Sequence, residues 1–286
     1  MATSRVPGPL KAPRRGVAPH LDPAPHTHTA GAATTRASTT GIITGGALPV
    51  LSVIEKALHP FFSRAIPLSR ELVMRINAAM LLPAPNPAAP QISSADYQDV
   101  ASDLGIETAV IQAVAEVEAG SGKKGFDQKG RPIILFEGYW FHKFTGGQFD
   151  SHYPYLSSPT WQVAKKYYNR DQWERMYEAM MLDYISAWKA ASWGLFQVMG
   201  FNHSGSATIS SFVKAMFTSE GEHLRSFAAY CKDTDLITAL KNKDWAAFAR
   251  GYNGAGYKQN QYDTKMEQAY KKYVKAATKA AGTQQK

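Results

Sequence analysis

The chain has 286 residues, enough for one large domain or two small ones, and its single cysteine, Cys231, excludes an internal disulfide framework and a cysteine-built zinc site. Its composition divides near residue 95: thirteen of the 16 prolines precede that point, but only two of the 33 aromatics, Phe61 and Phe62. Nine basic against three acidic residues give the first third a charge of +6, while the remainder carries +3, too little and too dispersed for a nucleic-acid surface.

Residues 1–50 are rich in Pro, Ala, Thr and Gly and are expected to be disordered. They lack the apolar run of a secretory signal peptide, and residues 37–54 are too polar to read as a membrane span. His20, His26 and His28 read as tail residues. Leu51, Ile54, Leu58, Phe61 and Phe62 then fall at helical spacing, as do Leu72, Val73, Ile76 and Met80. Pro60 and Pro67 interrupt the run, so residues 51–82 predict short amphipathic helices. These would dock on the domain, on an anionic membrane or on a delivery partner. Pro83, Pro85, Pro87 and Pro90 predict a stiff linker. Residues 1–93 are thus read as a basic, largely disordered Pro/Ala-rich leader, 94–276 as the folded domain and 277–286 as a flexible tail.

Beyond Ser94 the spacing is helical. Val110, Ile111, Val114 and Val117 form one apolar stripe that Gly120 ends. Gly130-Arg131-Pro132 predicts a turn and Ile133 to Phe136 a short strand. Residues 142–171 are loop-like. Trp173, Met176, Tyr177, Met180, Tyr184 and Trp188 mark a long helix. Further helices are expected to start near Thr208, Ser219, Asp233 and Asp244, with Ser219 and Glu222 forming a capping box. A last helix is expected from Tyr262 to Ala276. Cys231 lies among Leu224, Phe227 and Tyr230, which predicts a buried thiol. The class is α+β, mostly α, with one small β-hairpin.

Two glutamates share the helix that ends at Gly120. At about 100° per residue, with Val110 as zero, the apolar stripe spans roughly −20° to 100°. Glu118 falls near ~80°, inside the stripe, and Glu116 near ~240°, on the opposite face. Glu116 therefore reads as a solvated charge. Glu118 is a carboxyl set against the apolar interior at a helix C-terminus, where desolvation and the helix dipole both disfavour its charged form. A carboxyl protonated near neutrality serves as a general acid. A structural carboxyl paired with a Lys or Arg fits the same spacing.

Two further segments suit a glycan. Ser192-Trp193-Gly194-Leu195-Phe196-Gln197 sets donors and acceptors around a glycine that permits close approach of a ligand. Tyr252-Asn253-Gly254-Ala255-Gly256-Tyr257 ends a helix carrying Trp245 and Phe248. A helix-borne Glu, then Ser-x-Gly-Leu-x-Gln, then Tyr-Asn-x-x-Gly, is similar in order to goose-type lysozymes and soluble lytic transglycosylases. Four ordered blocks are more specific: Ala115 to Gly120, Arg131 to Glu137, Ser192 to Asn202 and Asp244 to Gly254. They resemble the N-acetylmuramidase family of phage endolysins and bacterial secreted effectors over about residues 94–275.

That resemblance implies a lysozyme-like fold and cleavage of the β-1,4 bond between N-acetylmuramic acid and N-acetylglucosamine in peptidoglycan. Glu118 would protonate the glycosidic oxygen. Glu137, at the end of the post-turn strand, would be the second catalytic carboxylate, with Asp127 and Asp183 in reserve. A structural Glu137, bridged to Arg131 or Lys143, is the other reading. Ser192 and Gln197 would contact sugar, Tyr252 would orient Glu118, and Asn253 would fix the turn. No cofactor or metal is expected; His142, His152, His203 and His223 lack ligand spacing and read as ordinary polar residues. The protein is expected to be a monomer made in the cytoplasm that acts in the periplasm or cell wall. The chain departs from the family where Glu137 is followed by Gly138-Tyr139-Trp140 instead of a basic residue and His, and where Glu118 is followed by Ala119-Gly120. The alternatives are a lytic transglycosylase, which needs no second carboxylate, and a non-catalytic glycan-binding or membrane-active basic protein.

Overall fold

The computed structural model describes residues 69–120 and 122–284. The expectations for residues 1–50 and for a helix within 51–68 lie outside the described residues. Helix α1 (Arg70–Leu81) leads into a proline-rich stretch, then α2 (Ser94–Leu104) and α3 (Thr108–Ala119). Strand β1 (Ile134–Phe136) is followed by α4 (Gly138–Thr145), α5 (Trp161–Ala164), a 3-10 turn (Lys165–Tyr167) and the long α6 (Gln172–Lys189). Strands β2 (Ala191–Trp193) and β3 (Val198–Met199) precede α7 (Ile209–Met216), α8 (Glu220–Asp233), α9 (Ile237–Lys241) and α10 (Trp245–Asn253). A second 3-10 turn (Ala255–Asn260) and α11 (Tyr262–Gln284) complete the chain.

The helices begin where short polar side chains satisfy free backbone N–H groups. Ser93 and Asp96 form a capping box at α2, and Ser219 accepts from the Glu222 N–H at α8. Helix α3 stops at Gly120, whose positive φ of 76° suits glycine and whose N–H donates to the Glu116 carbonyl. Val110, Ile111 and Val114 of its stripe are fully buried. They join Phe136, Trp193, Phe212, Leu224, Phe227 and Phe248 in one core. Helix α11 packs along α3 on the side away from this stripe, where Lys272 and Tyr273 bond Glu116. Glu116 is thus an anchored charge, not a freely solvated one.

A three-stranded antiparallel sheet lies between the helices in the order β1-β2-β3. Its register pairs Ile134 with Trp193, Phe136 with Ala191 and Trp193 with Val198. The segment from Ser192 to Gln197 is therefore a strand and hairpin loop, not a junction between helices. Gly194 and Gln197 both take positive φ there (70° and 55°).

Several boundaries differ from the sequence expectation. The folded unit begins before residue 94: α1 rests on α6, and Leu81, Leu82 and Ile92 pack on the core. The proline linker is docked, because the Asn86 N–H donates to the Gly130 carbonyl (2.8 Å). Gly130 permits this approach; a Cβ there would collide with the Asn86–Pro87 backbone. Helix α6 kinks at Asp183 (φ −159°, ψ 101°), whose carboxylate caps the Ser186 N–H and hydroxyl. The loop-like stretch 142–171 contains the end of α4 and two short helical turns. Asp233 ends α8, and the next helix starts at Ile237. Helix α11 runs on to Gln284 because its Ala- and Lys-rich sequence has high helix propensity and nothing breaks it at Ala276.

Candidate active site

Glu118 sits in the last turn of α3, one residue before its end. The helix stripe faces the core, so its carboxyl is crowded by protein, although the residue as a whole keeps some exposure. The Asn253 side-chain N–H donates to Glu118 Oε1 at 2.8 Å. Burial pushes the Glu118 carboxyl up to about 7, against the opposing pull of the Asn253 hydrogen bond. Cys231 is fully buried near it, and its thiol is raised by burial and by the Glu118 carboxylate. The causes of the shift are burial and the Asn253 hydrogen bond, with no cation among them.

Asn253 reaches Glu118 because α10 ends there. Asp244 caps the start of α10 by accepting from the Ala247 N–H (2.9 Å). Phe248 and Tyr252 stack on its inner face at 5.8 Å. The Tyr252 hydroxyl donates to the Phe196 carbonyl (3.2 Å), tying α10 to the β-hairpin loop. Asn253, expected to fix the turn, bonds the acid, and Tyr252 ties α10 to the loop.

Ser192 and Gln197 come together, as expected, but bond each other. Ser192 Oγ donates to Gln197 Oε1 at 3.0 Å, and the Gln197 amide donates to the Ile133 and Gly194 carbonyls. Both amide hydrogens of Gln197 are therefore engaged in fastening the hairpin to β1. Gly194 lies against His223, where a Cβ would sit 2.8 Å from the imidazole. A side chain, not a ligand, fills the approach that the glycine opens.

His223 is the residue that spacing did not mark. It is buried and stacks on Phe126 at 4.9 Å. Its Nδ1 accepts from the Leu195 N–H (3.1 Å), and its Nε2–H donates to the Met216 carbonyl (2.8 Å). Burial lowers its pKa to about 4, which keeps the ring neutral. Glu220, also buried, accepts from the Gly125 N–H (2.6 Å) and ties the turn before β1 to α8. The signal for both was position on the inward face of α8, beside Leu224 and Phe227.

Glu137 lies beyond the other end of β1. It is buried and accepts a hydrogen bond from the Tyr168 hydroxyl. Burial raises its carboxyl to about 7, opposed by Tyr168 and by the charges of Arg175 and Lys165. Arg175, itself buried, donates to the Phe136 and Tyr155 carbonyls and to Gln172. Arg131 and Lys143, the expected partners of Glu137, are elsewhere: Arg131 bridges Asp127 (2.7 Å), and the Lys143 ammonium lies 5.5 Å from the Tyr139 ring. Asp127 and Asp183 are likewise engaged in their own turns. Glu118 is held from α10 and Glu137 from the segment before α6, and neither carboxyl shifts the proton affinity of the other. Among the described residues no group of three His, Cys, Asp or Glu is arranged to hold a metal ion. No helix among them is long and apolar enough to cross a membrane.

The mostly helical fold around a small sheet, together with the two similarities that follow, makes the chain a glycoside hydrolase of lysozyme type. A family model described as N-acetylmuramidase matches residues 107–274. The chain belongs to that family, and its substrate is cell-wall peptidoglycan. Among solved structures it is similar to the crystal structure of the Burkholderia AP3 phage endolysin, at 30% identity and a TM-score of 0.60. That match covers 80% of this chain and 96% of the endolysin chain. Comparison with curated proteins gave no match.

Proposed function

We propose that this muramidase cuts the β-1,4 bond between N-acetylmuramic acid and N-acetylglucosamine, with Glu118 as the general acid. The observation that carries this reading is the buried Glu118 carboxyl, raised to about 7 and held by Asn253. At neutral pH about half of such a group is protonated. Its proton is weakly enough held to pass to a glycosidic oxygen as the bond breaks. Asn253 fixes one carboxyl oxygen and leaves the other for the leaving group. As positive charge grows on the sugar ring, the emptied carboxylate lies close to it and is stabilised in turn.

Glu137 has a different part in this reading. Tyr168 occupies one of its oxygens and Arg175 offsets its charge, so it holds the start of α4 against α6 instead of serving as the second catalytic carboxylate. Ser192 and Gln197 act by fastening the hairpin loop at the site. The protein works in this scheme as the endolysin it resembles, degrading the wall outside the cytoplasm. The basic excess of residues 1–95 favours binding to anionic envelope surfaces.

Mass spectrometry of digested peptidoglycan tests the reaction. Reducible muramic acid ends are expected. Anhydro-muramic ends would show internal attack by the 6-hydroxyl, the transglycosylase outcome, and glucosamine reducing ends would overturn both assignments.

A further inference from the structure

Helix α4 carries a surface that the chemistry above does not use. Tyr139 and Trp140 follow Glu137 and Gly138, and Phe144 lies one turn beyond Trp140 on the same face. Trp140 stacks on Phe144 (5.8 Å, 21°) and packs against Phe201 from the loop after β3 (4.6 Å). On the other side Tyr139 stacks on Trp161 of α5 (4.9 Å, 29°). An edge contact between Tyr139 and Trp140 at 5.6 Å joins the two halves. Five rings thus form one unbroken band from Trp161 to Phe201. All five are partly exposed, and Phe144 reaches 36%.

Their neighbour Phe141, on the opposite face of α4, is fully buried and completes the core. Trp140 also packs against the core, while the outer edges of the other rings stay open to solvent. A contiguous strip of exposed rings on one face marks a binding surface. Its chemistry narrows the occupant. Flat aromatic faces suit the C–H faces of pyranose rings, whose hydroxyls stay in water at the rim. Lys143 stands over Tyr139, exposed and without an acidic partner among the described residues, and so offers a cation to a carboxylate. Muramic acid carries a lactyl carboxylate, and its peptide stems carry more. The band carries a single cation, where a surface that meets anionic lipid carries several.

We propose that this band is an accessory docking surface for the glycan strand, holding N-acetylhexosamine units away from the bond being cut. The inference rests on the muramidase reading and names how that enzyme grips a long strand. It gives Tyr139, Phe144 and Lys143 a part in binding and none in proton transfer.

The test uses the full chain carrying Glu118→Gln, so that strands bind without being cut. Sedimentation with purified sacculi measures affinity, and vesicles of anionic phospholipid are the second probe. Adding Tyr139→Ala with Phe144→Ala is expected to weaken sacculus binding about tenfold. Tyr139→Phe with Phe144→Tyr should retain it. Lys143→Glu, an exposed change that the fold tolerates, should weaken binding and reduce its salt dependence. With Glu118 intact, the double alanine variant should need more sacculi for half-maximal rate while cutting short soluble oligomers normally. Unchanged sacculus binding in both the alanine and Lys143→Glu variants would overturn the proposal. So would band-dependent binding to vesicles but not to sacculi. If the unaltered chain released no muramic reducing ends, the muramidase reading would fall, yet sacculus binding would still judge the band.

Discussion

Glu118 and Glu137 are two buried carboxyls with the same raised pKa of about 7, one residue type in one domain. Their surroundings differ. Glu118 faces a neutral amide, on a residue that is partly exposed; Glu137 is capped by a tyrosine hydroxyl beside a buried guanidinium. Burial alone therefore does not separate the two carboxyls. What differs is the compensating charge: Arg175 and Lys165 offset a Glu137 carboxylate, and no cation is among the causes acting on Glu118. The proposal of Glu118 as the acid rests on that difference.

The largest expected effect falls on Glu118→Gln. Gln keeps the Asn253 hydrogen bond and removes the proton, so kcat on sacculi should fall by about a thousandfold with binding retained. Product release measured by reducing ends checks this. A loss under tenfold would equate the two carboxyls and break the comparison.

Stability against pH separates them next. A carboxyl raised above its unfolded value binds its proton more tightly in the folded state. It therefore costs stability as pH rises from about 4.5 through about 7. Glu118→Gln removes that cost, so the variant should be more stable than the parent at pH 8, by up to about 3 kcal/mol, and nearly equal to it at pH 4. Glu137→Gln should show the same sign, because its carboxyl is raised to about 7 as well, but a smaller gain at pH 8, since the change also removes a charge that offsets the buried Arg175. Urea titrations at the two pH values compare the two gains.

Much of the Glu118 environment was legible because three helical turns repeat with one period. The stripe from Val110 to Val117, its stop at Gly120 and the inward angle of Glu118 all follow from that repeat. The period gave no warning of β2 and β3. Those strands hold three and two residues, are buried on both faces, and so show no alternation. It also cannot assign Tyr252 and Asn253. Adjacent residues at a helix end point about 100° apart, and only the packing of α10 shows which one meets the acid. His223 lies 28 residues from the loop it supports, a contact made by the return of α8 and by no local pattern. The docked linker had one local clue, Gly130, whose missing Cβ is explained only once Asn86 is in place.

A smaller effect tests the hold on Glu118. The Asn253 N–H stabilises the carboxylate and lowers its pKa. Asn253→Ala should therefore raise the pKa further and move the alkaline limb of the kcat profile to higher pH. The looser carboxyl should also lower the maximum rate about tenfold. A limb that stays in place would show that the acid titrating in the profile is not the one Asn253 touches.

The smallest effect is expected for Glu137→Gln on catalysis. Tyr168 can still donate to the Gln oxygen, so the start of α4 keeps its hydrogen bond while the charge beside Arg175 disappears. Under conditions where the variant is fully folded, kcat should stay within about threefold of the parent, because no reacting group is lost. The profile should keep its alkaline limb, which the proposed mechanism assigns to Glu118. A fall of a hundredfold or more at unchanged folding would restore Glu137 as a second catalytic carboxylate. It would also require β1 and α4 to swing its side chain away from Tyr168 when substrate binds.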